Sequence, residues 1–273
     1  VKQVALLVVE GNDQATSTLM QSLGGKTYGV SYAALLESFD SRIVCTIVSP
    51  SEKGAHCLPE GKSFIDYQGI VWTGSALNCY NTAPEVSHQI EMAKQAYASG
   101  VSIFGSCWGM QIMTIALGGS VRCNPKGREI GVGRDITLTD AGNNHPMFKG
   151  KGDVFDTLEV HMDEVDSLPQ NAIVLAGNAM SKVQAMSIDT DRSSFWGVQY
   201  HPEFNFATMA IVMRRLHEKL LAEKIFKSAV TLDKQIEAYS NCETDSTTND
   251  SVNNPVQRHL EITNWLHEKV LTA

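Results

Sequence analysis

Val101-Ser102-Ile103-Phe104-Gly105-Ser106-Cys107-Trp108-Gly109-Met110-Gln111 is the stretch whose reading decides the fold. Val101 to Phe104 is short, apolar and partly β-branched, as a buried strand is. From Trp108 to Leu117 apolar residues recur at helical spacing, and Gly118-Gly119 ends the pattern as a helix stop. A strand that runs into a helix through Gly-x-Cys-x-Gly is a nucleophile elbow. Glycine two residues either side of the cysteine lets strand and helix approach where a Cβ would collide, and the nucleophile takes a strained backbone. The elbow presents the Cys107 sulfur at the carboxyl edge of a sheet, over a helix N-terminus that favours an anion.

Further along the chain lie the groups such a sulfur needs. Ser194 to Tyr200 reads as another strand, and His201-Pro202-Glu203 falls at its carboxyl end. Proline stops the strand and stiffens the turn. The i, i+2 spacing lets Glu203 reach one ring nitrogen of His201 while the other faces Cys107, which is nucleophile, base and orienter in order.

Gly-x-Cys-x-Gly-x-Gln together with His-Pro-Glu resembles the class I (triad) glutamine amidotransferases. The likeness is nearest to the glutaminase domain of GMP synthetase and its free-standing relatives. Cys-Trp-Gly-Met-Gln, then Gly118-Gly119, then Arg128-Glu129-Ile130-Gly131 follow in the order of that subgroup, and the likeness covers roughly residues 4 to 220. The resemblance implies that Cys107, His201 and Glu203 are catalytic. It also implies that Trp72-Thr73-Gly74-Ser75-Ala76, after the strand Gly69–Trp72, is the oxyanion loop. The donors would be the amide of Ser75 or Gly74 and that of Trp108. The family usually has Gly-Pro where this chain has Ser75-Ala76, so the donor within the loop stays open. Val160-His161-Met162-Asp163-Glu164-Val165 resembles the Ser-His-x-Asp-x-Val segment that helps hold the substrate's amino-acid head. Gln111, His161 and Asp163 would then bind substrate, with Val160 in the serine's place leaving any backbone contact intact. The implied chemistry is acyl transfer through sulfur, on glutamine or a small γ-glutamyl compound, with no metal or other cofactor.

Other residues carry blander readings. Cys45, Cys57, Cys79, Cys123 and Cys242 lack metal-ligand spacing and read as core or incidental thiols. Glu129 reads as structural. His56, His88, His217, His259 and His267 belong to no constellation and read as surface residues, and His145-Pro146-Met147-Phe148 as a loop leading into a helical turn.

Composition agrees with an α/β enzyme: 273 residues, 43% hydrophobic, bury a substantial core. A net charge of −8 argues against a nucleic-acid-binding or anionic-membrane surface. No run of 18 apolar residues exists, and Val1–Glu10 lacks the pattern of a signal peptide. Six cysteines, one of them a working thiol, fit a reducing cytoplasm.

Strand and helix patterns alternate from the start: strands Val4–Val9, Ile43–Val48 and Gly69–Trp72, helices Tyr32–Phe39 and Pro84–Ala98. Ile136–Thr139, Val154–Val160, Ala172–Ala176, Val183–Ile188 and Phe195–Tyr200 are strand-rich. The expected fold is a doubly wound, mostly parallel sheet flanked by helices, with a small side sheet and a C-terminal helical extension. Ala207–Phe226 reads as one long helix closing a domain of residues 1–226. Residues 227–273 form the extension: a short helix Leu232–Tyr239, a polar linker 241–255, and an amphipathic helix Val256–Leu271 that packs back on the domain by default or else meets a partner.

The residues after Glu203 are too few for an ATP-activating synthase domain, and no phosphate-binding loop is present. The expected function is therefore a free-standing glutaminase that supplies ammonia to a separate synthase partner chain. The alternative is an autonomous γ-glutamyl hydrolase or peptidase. A third reading is a non-catalytic regulatory protein that uses the pocket for binding.

Overall fold

A computed structural model describes residues 2–241 and 250–272. Its strands are β1 (Val4–Val9), β2 (Ile43–Val48), β3 (Gly69–Trp72), β4 (Ile103–Ser106), β5 (Ser120–Cys123), β6 (Glu129–Leu138), β7 (Val154–His161), β8 (Asp163–Ser167), β9 (Ile173–Gly177), β10 (Ala185–Asp189) and β11 (Ser194–Val198). Nine of them form one sheet in the order β2-β1-β3-β4-β11-β10-β9-β6-β7. The half from β2 to β11 is parallel, and β10, β9, β6 and β7 continue it antiparallel. The small side sheet is the antiparallel pair β5-β8.

The inner parallel strands β1, β3 and β4 are buried on both faces, which is why they are apolar at nearly every position rather than at alternate ones, whereas the edge strand β2 leaves Val44 and Ile47 exposed. Leu6 and Val8 of β1 join one core, while Leu7 and Val9 join the other. On the first side lies α2 (Tyr28–Phe39), whose Tyr32, Ala33 and Leu36 enter that core. On the second lie α4 (Pro84–Ala98) and α5 (Trp108–Ala116). Three further short helices are α1 (Gln14–Ser22), α3 (Pro50–Lys53) and α6 (Asp140–Asn143). The polar sequence of α1 hides its helicity. The side chain of Asp13 caps it by accepting the Thr16 N–H at 2.7 Å, and of its nine residues only Ser17 and Met20 are buried.

The expected long helix over 207–226 is instead two, α7 (Phe206–Arg215) and α8 (His217–Ala222), with Leu216 between them. It stops short of Phe226 because Lys224 takes a left-handed conformation, φ 58°. Next comes α9 (Ala229–Ser240), which packs on α7 around Phe206, Met213, Ile236 and Tyr239.

Most of the expected linker 241–255, together with Cys242, lies outside the described residues. The described part is not featureless: α10 (Asp250–Asn253) is tied to β7, where Ser251 Oγ donates to the Asp156 carbonyl at 2.8 Å and accepts its N–H at 2.9 Å. The expected helix over 256–271 is α11 (Pro255–Arg258), α12 (Leu260–Trp265) and a π-helical turn Leu266–Val270, with a break at His259. It packs back on the sheet. Ile262, Trp265, Leu266 and Val270 share the core that holds Leu6, Val8 and Phe104. Half-buried His259 is therefore no surface residue, and burial lowers its pKa to about 4. No described helix is long and apolar enough to cross a membrane.

Candidate active site

β4 ends at Ser106 and α5 begins at Trp108, so Cys107 alone makes the turn, at φ 49° and ψ −100°. That strain is bearable only because the chain around it is held. The Cys107 N–H donates to the Val198 carbonyl at 2.7 Å. A Cβ on Gly105 would lie 2.7 Å from the Gly109 carbonyl carbon, and one on Gly109 2.6 Å from the Trp72 oxygen. Both elbow glycines are thus required by space.

β11 runs parallel to β4 with Val198 opposite Ser106, so the chain leaving β11 emerges beside the elbow. This delivers His201, whose N–H donates to the Leu158 carbonyl at 2.9 Å. Its ring stacks on Phe204 with centroids 4.0 Å apart, and its Nδ1 lies 2.8 Å from Glu203 Oε1. The other nitrogen, Nε2, has no hydrogen-bond partner. Burial alone would lower the pKa of His201; the charge of Glu203 and the neighbouring Cys107 override it and raise the value to about 10. The imidazole is therefore held protonated at neutral pH. The thiol of Cys107 donates to the Val160 carbonyl at 3.7 Å and accepts from Gln199 Nε2 at 3.4 Å. The backbone of Val160 thus makes the contact that its side chain does not.

The 73–76 loop borders the same cleft. Its Ala76 N–H donates to Asn12 Oδ1 at 2.9 Å and the Leu77 N–H to Ser75 Oγ at 3.1 Å. The N–H groups of Gly74 and Ser75 are bonded to nothing among the described residues. That of Trp108, the first residue of α5, has no acceptor within its helix. Loop and elbow are locked to one another by Gln89. Its Oε1 accepts from Trp72 Nε1 at 3.1 Å and Trp108 Nε1 at 2.7 Å, and its Nε2 donates to the Gly11 carbonyl.

Gln111 and Asp163 line the cleft and are joined: Gln111 Nε2 donates to the Asp163 carbonyl and to Gln199 Oε1, both at 3.2 Å. The Asp163 carboxylate accepts from Asn78 Nδ2 at 2.7 Å and Tyr80 Oη at 3.0 Å. His161 also borders the cleft, yet both its nitrogens are engaged inward. Nδ1 meets the Asp163 carbonyl at 3.0 Å, and Nε2 sits between Glu129 at 3.3 Å and Glu159 at 3.0 Å. Burial opposes a charge on His161, but the two carboxylates raise its pKa well above the usual value, while burial raises that of Glu159. The ring thus buttresses the 160–163 segment rather than offering a free nitrogen. Among the described residues, Glu129, Glu159 and His161 are also a group of donors close enough to hold a cation, their ligand atoms lying within 4.8 Å of one another.

Several residues at the cleft escaped sequence reading: Gln89, Gln199, Asn78, Tyr80, Glu159, Tyr28 beside His201, and Arg215. Only Gln199 had a local cue, its place two residues before His201.

The family model for glutamine amidotransferase class-I matches residues 33–217. A gamma-glutamyl-L-1-hydroxyisopropylamide hydrolase of a Pseudomonas species is 32% identical over 99% of this chain and 94% of its own length. Gamma-glutamyl peptidase 3 of Arabidopsis thaliana is 29% identical over 63% of this chain and 69% of its own. A glutamine-hydrolyzing GMP synthase of Thermomicrobium roseum is 29% identical over 77% of this chain, which spans only 37% of that longer protein. In fold, the chain superimposes on a glutamine amidotransferase from Thermotoga maritima with a TM-score of 0.65, covering 97% of this chain and 99% of that one at 16% identity. With its elbow, its sheet and a match over most of its length, the chain belongs to the class-I glutamine amidotransferase family.

Proposed function

We propose that this protein is an autonomous hydrolase of small γ-glutamyl amides, working through a thioester on Cys107. The observation that carries the reading is the buried set of Cys107, a charged His201 and Glu203 at the floor of a cleft whose other wall is Gln111 and Asp163. The Cys107 sulfur, as the thiolate paired with charged His201, attacks the side-chain carbonyl carbon, forming a C–S bond. Oxyanion charge falls on the free N–H groups of Trp108 and of Gly74 or Ser75. As the C–N bond breaks, His201 Nε2 gives its proton to the departing nitrogen, and an amine leaves. Water, deprotonated by the now neutral His201, then cleaves the thioester to release glutamate and restore the thiolate–imidazolium pair. Glu203 fixes the ring's tautomer and offsets its charge throughout.

Autonomy is supported by the end-to-end likeness to a γ-glutamyl amide hydrolase, which extends through the C-terminal helices. The second reading, a glutaminase that hands ammonia to a synthase, is supported by the likeness to glutamine-hydrolyzing GMP synthases. The thiol chemistry suits a reducing compartment such as the cytoplasm.

The deciding experiment is glutamate release from glutamine and a panel of γ-glutamyl amides and peptides, with Cys107→Ala as control. Rapid turnover of a γ-glutamyl amide without a partner, lost in the control, is the expected result. Turnover of glutamine alone, and only with an added synthase, would favour the second reading. Activity that survives in Cys107→Ala would defeat the mechanism.

A further inference from the structure

Arg215 ends α7 and lines the cleft; the last turn of a helix favours its positive charge, but no side chain among the described residues pairs with its guanidinium. Its Nε is shut off from solvent with no acceptor, and its guanidinium makes no hydrogen bond or ion pair among the described residues. The other arginine of the cleft is different: Arg128 is clasped by Glu223 at 2.7 and 3.0 Å. Lys219, one turn beyond Arg215 on α8, adds a second, exposed positive charge to the same mouth. An unpaired, partly desolvated guanidinium is costly unless an anion arrives to meet it.

Its location says which anion. Tyr28 neighbours both the reacting centre and Arg215: its ring centroid is 6.4 Å from that of His201, and its phenol feels the charge of Arg215. Gln111 and Asp163, by contrast, are built on α5 and β8, and their side-chain hydrogen bonds run to Gln199, Asn78 and Tyr80, never to Arg215. If the γ-glutamyl head lies on the Gln111 and Asp163 wall, the leaving nitrogen must point to His201, which protonates it. Whatever that nitrogen carries then extends past Tyr28 toward Arg215.

We propose that Arg215, with Lys219, binds a carboxylate on the leaving amine, so that γ-glutamyl amino acids are favoured over glutamine and over γ-glutamyl amides of neutral amines. This rests on the hydrolase reading above and adds the substrate's second half to it. A carboxylate one carbon from the leaving nitrogen, as in any α-amino acid, supplies the planar acceptor that a guanidinium matches in two hydrogen bonds.

The test compares γ-glutamyl-alanine with γ-glutamyl-alaninamide, which differ in that one charge. The ratio of their kcat/KM values is measured for the wild type, Arg215→Gln and Arg215→Lys, and both compounds are titrated calorimetrically into the Cys107→Ala variant. The wild type should prefer the acid, and Arg215→Gln should cut the acid-to-amide ratio roughly 10- to 100-fold, with Arg215→Lys retaining part of it. The Cys107→Ala variant should bind the acid more tightly than the amide. A ratio that Arg215→Gln leaves unmoved overturns the proposal. So does an equal fall on both compounds, which would assign the guanidinium to the γ-glutamyl head or to the fold. Equal cleavage of both compounds by the wild type would sink this inference and leave the hydrolase reading standing. Binding preference for the acid without any turnover would do the reverse.

Discussion

At the scale of single residues, Gly74 is glycine because His201 leaves room for nothing else. A Cβ there would lie 2.6 Å from the imidazole Cε1. In Gly74→Ala the ring must shift by a sizeable fraction of an ångström. We expect kcat to fall about 100-fold with a smaller change in KM, since misplacing a catalytic group by about 1 Å costs that much. Steady-state kinetics decides it, and wild-type kcat would show that the ring is not held where it is needed. Glu203 makes a pH-dependent prediction. The folded pKa of His201, about 10, is raised above its ordinary 6.5. The stabilisation this represents is complete below about pH 6.5 and is lost as pH rises through about 10. Glu203→Gln removes the anion. Its stability penalty should be largest at neutral and mildly acidic pH and shrink as pH approaches 10, while the alkaline limb of its pH–rate profile moves to lower pH. A profile that does not move would remove Glu203 from its orienting role. At this scale Cys107, His201 and Glu203 were legible because glycine spacing and a two-residue step are local patterns. Gln89, Tyr80 and Arg215 were not. Each is a lone polar residue whose meaning comes only when distant segments meet.

At the scale of elements, the parallel strands and the elbow were legible from apolar runs bounded by turns, while helix breaks were not. Leu216 and His259 have ordinary helical side chains, yet both sit at φ −94° and ψ 5° and interrupt their helices. The polar α1 was invisible for the opposite reason, since one cap and one buried methionine suffice for it. α12 gives a direct energetic prediction. Trp265 lies flush on β3, where a Cβ on Gly69 would come within 2.7 Å of its ring, and its Nε1 donates to Ser102 Oγ at 2.9 Å. Trp265→Ala should cost about 3–5 kcal/mol in urea unfolding. A loss under about 1 kcal/mol would mean that the helix is not seated on the sheet. Beside it, Glu261 is shut from solvent between Lys151 at 2.9 Å and Tyr200 at 2.6 Å. The tyrosine immediately before His201 is thus anchored by the C-terminal helix.

At the scale of the whole molecule, one apolar core joins β1, β3, β4 and β11 to α2 and α12, so the C-terminal helices unfold with the sheet. Calorimetry should show a single cooperative transition, and two separated transitions would contradict this. That sharing was half legible: the amphipathic pattern of 256–271 called for an apolar surface, but nothing in it named which one. The antiparallel order β10-β9-β6-β7 was likewise beyond reading, because register and strand order are set by long-range packing. The central claim is a γ-glutamyl thioester common to every substrate, and partitioning by hydroxylamine tests it most directly. Glutamine, a γ-glutamyl amide and a γ-glutamyl peptide are each hydrolysed with a fixed concentration of hydroxylamine, and γ-glutamyl hydroxamate and glutamate are measured. The account predicts one hydroxamate-to-glutamate ratio for all compounds cleaved, and neither product from Cys107→Ala. A ratio that changes with the leaving group, or product formed without Cys107, would contradict it.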